Sequence, residues 1–352
     1  MTNIIQWNIR SMQANREELQ ILFSDFNPEV VCLQETQMKP NSNVSFKNYC
    51  IYHRPGTEKN GTFYGGAAIL IKNSIAHKAI NISSPLQAIA VRATLFKTIT
   101  ICSLYLPPSS KWTKSDIDDI IAQLPPPVLL HGDFNAHSKD WGCPSNDCKG
   151  KIIGDLLMER DLSLLNDGST TYLHPGCGSQ SAIDLSICDP SLYLDLSWQV
   201  HHDLCGSDHF PIAIYCNRAS TFETNSSWKL SKANWKAFSD KAASDLKYES
   251  VRDPDDPVGN FTNILINIAN HSIPKSKPKI VKHNTIWFND ECKEARKTRR
   301  KALKKVKTSP TSTNIENFKI IRAKARRTIK TTQRQSWRSY VSKINTRTPL
   351  KN

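Results

Sequence analysis

Eight short runs of β-branched and apolar residues recur in the first 217 residues: Ile4–Ile9, Val30–Gln34, Ala67–Ile71, Ala88–Thr94, Thr98–Leu104, Val128–His131, Ile183–Ile187 and Pro211–Cys216. Runs this short, bounded by Gly, Pro, Asn and Asp, are predicted strands. Apolar residues spaced by three or four positions predict helices over Ala14–Asp25, Ser115–Gln123 and Lys149–Glu159. Strands interleaved with helices imply a layered α/β domain.

The chain changes character after residue 217. Residues 1–217 carry 16 Lys+Arg against 21 Asp+Glu, a net of −5; residues 218–352 carry the remaining 31 against 11, a net of +20. Helices are predicted over Trp287–Lys307 and Asn314–Asn345, separated by the breaker Ser309-Pro310-Thr311, and over Asn260–Asn270. The expected division is an α/β domain over 1–217, a linker with short helices over 218–285, and a basic, mainly helical extension over 286–352. No run approaches the roughly 18 apolar residues of a membrane span, and the N-terminus lacks a leader pattern. A soluble, unexported chain is therefore expected. The ten cysteines are scattered without a CxxC pair, which favours reduced thiols over disulfides or zinc.

Acidic and amide residues mark the ends of the predicted strands: Asn8, Glu35, Asp133 with Asn135, Asp184, and Asp208-His209. A lone Asp at a strand end is ordinarily a turn former. Five such ends in one domain read as a site, because strand ends fix side chains while leaving them accessible. Carboxylate and amide oxygens suit a hard divalent cation such as Mg²⁺, with Mn²⁺ as a possible substitute.

In order, Trp7-Asn8, Gln34-Glu35, Leu104-Tyr105-Leu106-Pro107, Gly132-Asp133-Phe134-Asn135, Ile183-Asp184-Leu185 and Ser207-Asp208-His209 resemble the endonuclease/exonuclease/phosphatase superfamily. The resemblance implies a four-layer α/β sandwich, two mixed sheets flanked by helices, with the site at one edge. It implies that Glu35, aided by Asn8 and Asp208, holds the metal. Tyr105 and His209 would bind the scissile phosphate, with Asp184 orienting His209. Asp133 would deprotonate water positioned by Asn135, and the choice between Asp133 and His209 as general base stays open. Thr171 and Ser207 would contact nucleic acid near the cleft.

Gln6-Trp7-Asn8-Ile9-Arg10, Gly65-Gly66-Ala67 and His131-Gly132-Asp133-Phe134-Asn135-Ala136-His137 are similar to endonuclease domains of jockey-type non-LTR retrotransposons. Trp228, Trp235 and the basic segment after Trp287 resemble the stretch that precedes a reverse transcriptase. That resemblance implies an enzyme that nicks double-stranded chromosomal DNA in the nucleus and leaves a 3′-hydroxyl. The cationic helices, with Arg299, Arg300, Lys304 and Lys305, are expected to meet duplex or the element's RNA. The alternatives are a phosphodiesterase or phosphatase with another substrate, and a non-catalytic nucleic-acid-binding protein on a retired nuclease fold.

Overall fold

The structure, a computed structural model, describes residues 3–217, 228–246, 257–275 and 285–344. Two compact units emerge: one combines 3–217 with 285–344, and the other holds 228–246 and 257–275. The first unit begins β1 (Asn3–Asn8), α1 (Arg16–Phe26), β2 (Val30–Gln34), β3 (Tyr49–Arg54), β4 (Thr57–Lys59), β5 (Thr62–Tyr64) and β6 (Ala67–Lys72). It continues with β7 (His77–Ile80), β8 (Gln87–Thr94), β9 (Thr98–Tyr105), α2 (Lys114–Ala122), β10 (Val128–Asp133) and α3 (Cys148–Glu159). The short strands β11 (Ser163–Leu164), β12 (Tyr172–Leu173) and β13 (Gln180–Ser181) precede β14 (Asp184–Cys188), α4 (Pro190–Tyr193), β15 (Leu196–Val200) and β16 (Ile212–Cys216).

Two six-stranded mixed sheets form, in the orders β15-β16-β1-β2-β6-β3 and β11-β14-β10-β9-β8-β7. Side chains alternate across each strand with a period of two, so each sheet has two apolar faces to cover. Val30 and Cys32 of β2 pack inward against Ile99, Ile101 and Leu129 of the other sheet. Val31 and Leu33 face outward, onto Leu19, Leu22 and Phe23 of α1. On the far side, Leu130 and Leu104 pack against Ile117 and Ile120 of α2 and Ile153 and Leu156 of α3. The four layers expected from the resemblance are present. Strands β3, β7 and β15, absent from the sequence expectation, are all sheet edges. Edge strands are half-exposed and interleaved with polar residues (His53, Lys78, Ser197, Gln199), which removes the continuous apolar run that marks central strands.

The second unit holds α5 (Trp235–Asp245), which sequence patterning missed, and α6 (Pro257–Ser272), which contains the expected 260–270 helix. Asn234 caps α5 by accepting from the Ala237 amide at 3.0 Å. Trp228 donates from Nε1 to Asn270 Oδ1 at 3.1 Å.

Helices α7 (Asp290–Thr308) and α8 (Ser312–Val341) belong to the first unit, although sequence alone sets 286–352 apart. Ala302, Leu303, Val306, Ile315 and Phe318 form one cluster with Leu173, Leu204 and Phe210. Cys292 and Ile329 close over Ile21 of α1. Within this contact Arg299 is 1% exposed. Its guanidinium donates to both oxygens of Glu18 and, at 3.1 and 2.8 Å, to both oxygens of Asp203. Arg296 adds a 3.0 Å pair with Asp25. The basic helices thus neutralise acids of the acidic domain. No helix among the described residues is long and apolar enough to cross a membrane.

Removing one partner from a buried ion pair strands the other, so Arg299→Met should cost about 3–5 kcal/mol, read as a drop in the urea midpoint. Burial opposes ionisation of Asp203, but Arg299 outweighs it and holds the carboxyl well below the usual range. A depressed folded pKa means the stabilisation is complete above the unfolded value of about 3.9 and is lost as pH falls below it. In acid unfolding at pH 2–5, Asp203→Asn should flatten the low-pH loss of stability; an unchanged profile would contradict the assignment.

Candidate active site

The inward-facing rows of five central strands each turn polar toward the same end. In β1 the row reads Ile4, Gln6, Asn8; in β2, Val30, Cys32, Gln34; in β9, Ile101, Ser103, Tyr105; in β10, Leu129, His131, Asp133; and in β14, from its C-terminal end, Cys188, Ser186, Asp184. Pairing places Asn8 beside Gln34 in one sheet, and Asp133 between Tyr105 and Asp184 in the other. Between the apolar end and the acidic end lies a layer of buried hydrogen bonds. Gln6 donates to Gly132 O at 2.9 Å and accepts from Ser186 Oγ at 2.9 Å, while Gln34 donates to Ser103 Oγ at 3.0 Å. These bonds tie sheet to sheet directly beneath the site.

At the polar edge the Asn8 amide donates to Asp133 Oδ2 at 2.8 Å and Glu35 Oε1 at 3.0 Å, and lies 3.4 Å from His209 Nε2. Tyr105 donates its phenol to the same Glu35 oxygen at 3.0 Å. His209 Nδ1 is 2.8 Å from Asp184 Oδ2, and its Nε2 is 3.8 Å from Asp133 Oδ2. The Asn135 amide N–H donates to Asp133 Oδ1 at 3.1 Å. Glu35 and Asn135 both hold left-handed backbone, φ 49° and 46°, a conformation common where function constrains geometry. Burial disfavours the imidazolium of His209, yet Asp184 and then Asp133 push its pKa up to about 10. Burial, with repulsion from Asp184 and Glu35, raises the Asp133 carboxyl above the usual range against the pull of His209 and Asn8.

One ligand atom each from Glu35, Asp133 and His209 lie within 4.8 Å of one another. Carboxylates crowded together repel one another's charge, and a small hard cation between Glu35 and Asp133 would relieve that repulsion. Asp208 stands at the rim, its Oδ2 accepting from Arg10 Nη1 at 2.6 Å.

All eight residues expected for metal and phosphate chemistry therefore converge on one edge of the sandwich. The nucleic-acid candidates divide. Lys304 and Lys305 are exposed, and Arg300 is partly exposed with Nε 3.3 Å from Asp203. Thr171, Ser207 and Arg299 are buried and hydrogen-bonded inside the protein, which corrects the expectation of surface contacts. Thr171 Oγ1 accepts from the Ile183 and Asp184 amides at 3.1 and 3.0 Å, so it holds Asp184. Ser207 Oγ donates to Asn8 O at 2.7 Å and accepts from the His209 amide at 3.2 Å. Sequence reasoning gives no role to Arg10, to Trp7, whose Nε1 donates to His209 O at 3.1 Å, or to Tyr172, whose ring lies 4.7 Å from that of His209. Each neighbours a residue singled out from sequence; adjacency was the available signal.

With its folded pKa above the usual 6.5, His209 in metal-free protein should remain an imidazolium well past neutrality and lose its proton near pH 10. Imidazole ¹⁵N shifts should stay in the imidazolium range from pH 6 to 8 in the native protein. In Asp184→Asn the titration should move down into or toward that window; a native midpoint near 6.5 would refute the pairing.

The Endonuclease-reverse transcriptase family model matches residues 99–213. The jockey mobile-element RNA-directed DNA polymerase of Drosophila melanogaster is 29% identical over 210 residues, 58% of this chain and 23% of that protein. The probable RNA-directed DNA polymerase of the Drosophila melanogaster X-element transposon is 26% identical over 275 residues, 76% of this chain and 30% of that protein. The chain thus matches 23% to 30% of these relatives' length. Among solved structures, the endonuclease domain of TRAS1, a telomere-specific non-LTR retrotransposon, superposes with a TM-score of 0.52 at 23% identity, covering 62% of this chain and 99% of that domain. A 3′–5′ exonuclease from Neisseria meningitidis superposes with a TM-score of 0.50 at 16% identity, covering 62% and 100%. With the four layers and the ordered motifs, these matches make the chain similar to the endonuclease–reverse transcriptase proteins of mobile elements, with the fold of a non-LTR retrotransposon endonuclease domain.

Proposed function

We propose that this chain is a divalent-metal-dependent DNA endonuclease that nicks target DNA and leaves a 3′-hydroxyl able to prime reverse transcription. The observation that carries this is the meeting of Asn8, Glu35, Asp133, Asp184 and His209 at one edge from five separate segments. Glu35, Asn8 and Asp208 are the proposed holders of Mg²⁺, for which Mn²⁺ would substitute. When bound, the cation offsets negative charge on the phosphodiester as it is attacked.

The remaining steps belong to side chains. Asp184 holds His209 Nδ1–H, leaving Nε2–H to donate to a non-bridging phosphate oxygen. Asp133, aligned by Asn8 and the Asn135 amide, accepts a proton from the attacking water, and the Asn135 side chain positions that water or the phosphate. Tyr105, within reach of the same space, fixes Glu35 and donates to a phosphate oxygen. As the water oxygen bonds to phosphorus, the bond from phosphorus to the 3′ oxygen breaks, the 3′ oxygen leaves and takes a proton from solvent, and the phosphate stays on the 5′ side. Chromosomal DNA as substrate makes the nucleus the working compartment. The exposed cations of α7, Lys304 and Lys305 with Arg300, supply salt-dependent attraction for duplex or for an element's RNA.

Supercoiled plasmid with Mg²⁺ should convert to an open circle whose 3′ end a polymerase extends. EDTA should stop the reaction, and Asp133→Ala or His209→Ala should slow it at least about 100-fold. Tight binding without nicking would overturn the proposal. Lys304→Ala with Lys305→Ala should reduce the slope of log affinity against log salt by about two.

A further inference from the structure

The loop that delivers Asp208 and His209 is held from two opposite sides. On the sheet side, Ser207 is bonded to Asn8 O, and Trp7 to His209 O, as described above. On the other side stand α7 and α8. Asp203, which opens the loop, is fully buried, and its Oδ1 accepts from the Cys205 amide at 3.3 Å as well as from Arg299. Arg322 of α8 reaches over and donates from Nη2 to Gly206 O at 2.6 Å. Leu204 and Phe210, flanking the turn, lie in the cluster formed by Leu303, Val306 and Phe318.

The turn itself needs holding. Cys205 and Gly206 are both left-handed, φ 50° and 89°. For Cys205 that conformation is intrinsically unfavourable, and it persists only where surroundings over-determine it. A Cβ on Gly206 would come within 2.6 Å of Asn15 Oδ1, so the backbone there is pressed closely against the domain. Without α7 and α8 the Gly206 carbonyl loses its guanidinium donor, the Asp203 and Glu18 carboxylates lose theirs, and Leu204 and Phe210 lose their apolar cover. Apart from Glu18, which Arg299 joins to Asp203, every one of these groups is within six residues of His209 in sequence.

We propose that α7 and α8 are a positioning element of the catalytic centre, with Arg322 and Arg299 as positioning residues that hold the 203–209 turn and so place His209 and Asp208. This inference rests on the endonuclease reading for its kinetic consequence, though not for its structural one. A basic segment after the nuclease layers then has two kinds of cation: buried ones that shape the site, and exposed ones that meet polyanion.

Arg322→Met is the informative variant in the full chain, because Arg322 is only partly buried whereas loss of Arg299 threatens folding itself. Two measurements are made with Mg²⁺ present: plasmid nicking over a range of DNA concentrations, and amide hydrogen exchange across residues 204–209. The expected result is a fall in kcat of about tenfold or more with KM within about twofold, since small displacements of reacting groups are costly. Exchange at 204–209 should quicken while α1 and the central strands exchange as before. Arg322→Lys, which keeps a donor for the Gly206 carbonyl, should recover much of both. A rise in KM alone would make Arg322 a DNA contact and overturn the proposal, as would unchanged kcat with unchanged exchange. If the native protein nicks nothing, the endonuclease reading falls, and exchange alone decides this one: faster in Arg322→Met supports it, unchanged overturns it.

Discussion

The register between five strands governs the rest of the molecule. In a strand, neighbouring side chains point to opposite faces, so one inward row must serve both the core and the site. Here each row begins with Ile, Val, Leu or Cys and turns to Gln, His or Ser before or at the polar edge. A slip of one residue in β1 or β10 would turn Asn8 or Asp133 away from the gap and bring Trp7 or Gly132 into it. Such a slip is opposed by the bonds from Gln6 to Gly132 and Ser186 and from Gln34 to Ser103. Buried hydrogen bonds of this kind stabilise modestly, but a donor or acceptor left without its partner is costly. They therefore act mainly by excluding other registers.

A second constraint is electrostatic and spans the chain. The α/β layers carry net negative charge and the C-terminal helices net positive charge, and the two meet where Arg299 sits between Glu18 and Asp203. A buried cation between two carboxylates gains from both only if the geometry is good and its donors are met, and four hydrogen bonds, two to each carboxylate, satisfy that condition. The same contact shields one side of the turn that leads to His209. Charge compensation and site geometry are consequently properties of one interface.

Much of this was legible in the residues. Central strands such as Val30–Gln34 show a run of apolar and β-branched side chains because both their faces are covered. The edge strands Tyr49–Arg54 and Leu196–Val200 do not, because only one face is. Polar residues closing several separate runs pointed to a shared site before any distance was known. Thr171 and Ser207 are bonded to backbone inside the protein, a role that sequence does not distinguish from that of a hydroxyl lining a cleft.

Local pattern, acting over a few residues, decides strand, helix and the alternation that puts Asn8, Asp133 and Asp184 on inward faces. The amino-acid sequence by itself therefore determined the layered class and the cast of the candidate site. Which cation is buried is a different kind of property. Arg299 and Lys304 are both basic residues on one helix, and only the position of Glu18, 281 residues away in sequence, separates a fastener from a surface charge. That pairing, and with it the support behind Asp208 and His209, belongs to the tertiary structure, because it depends on contacts whose partners no local pattern can name.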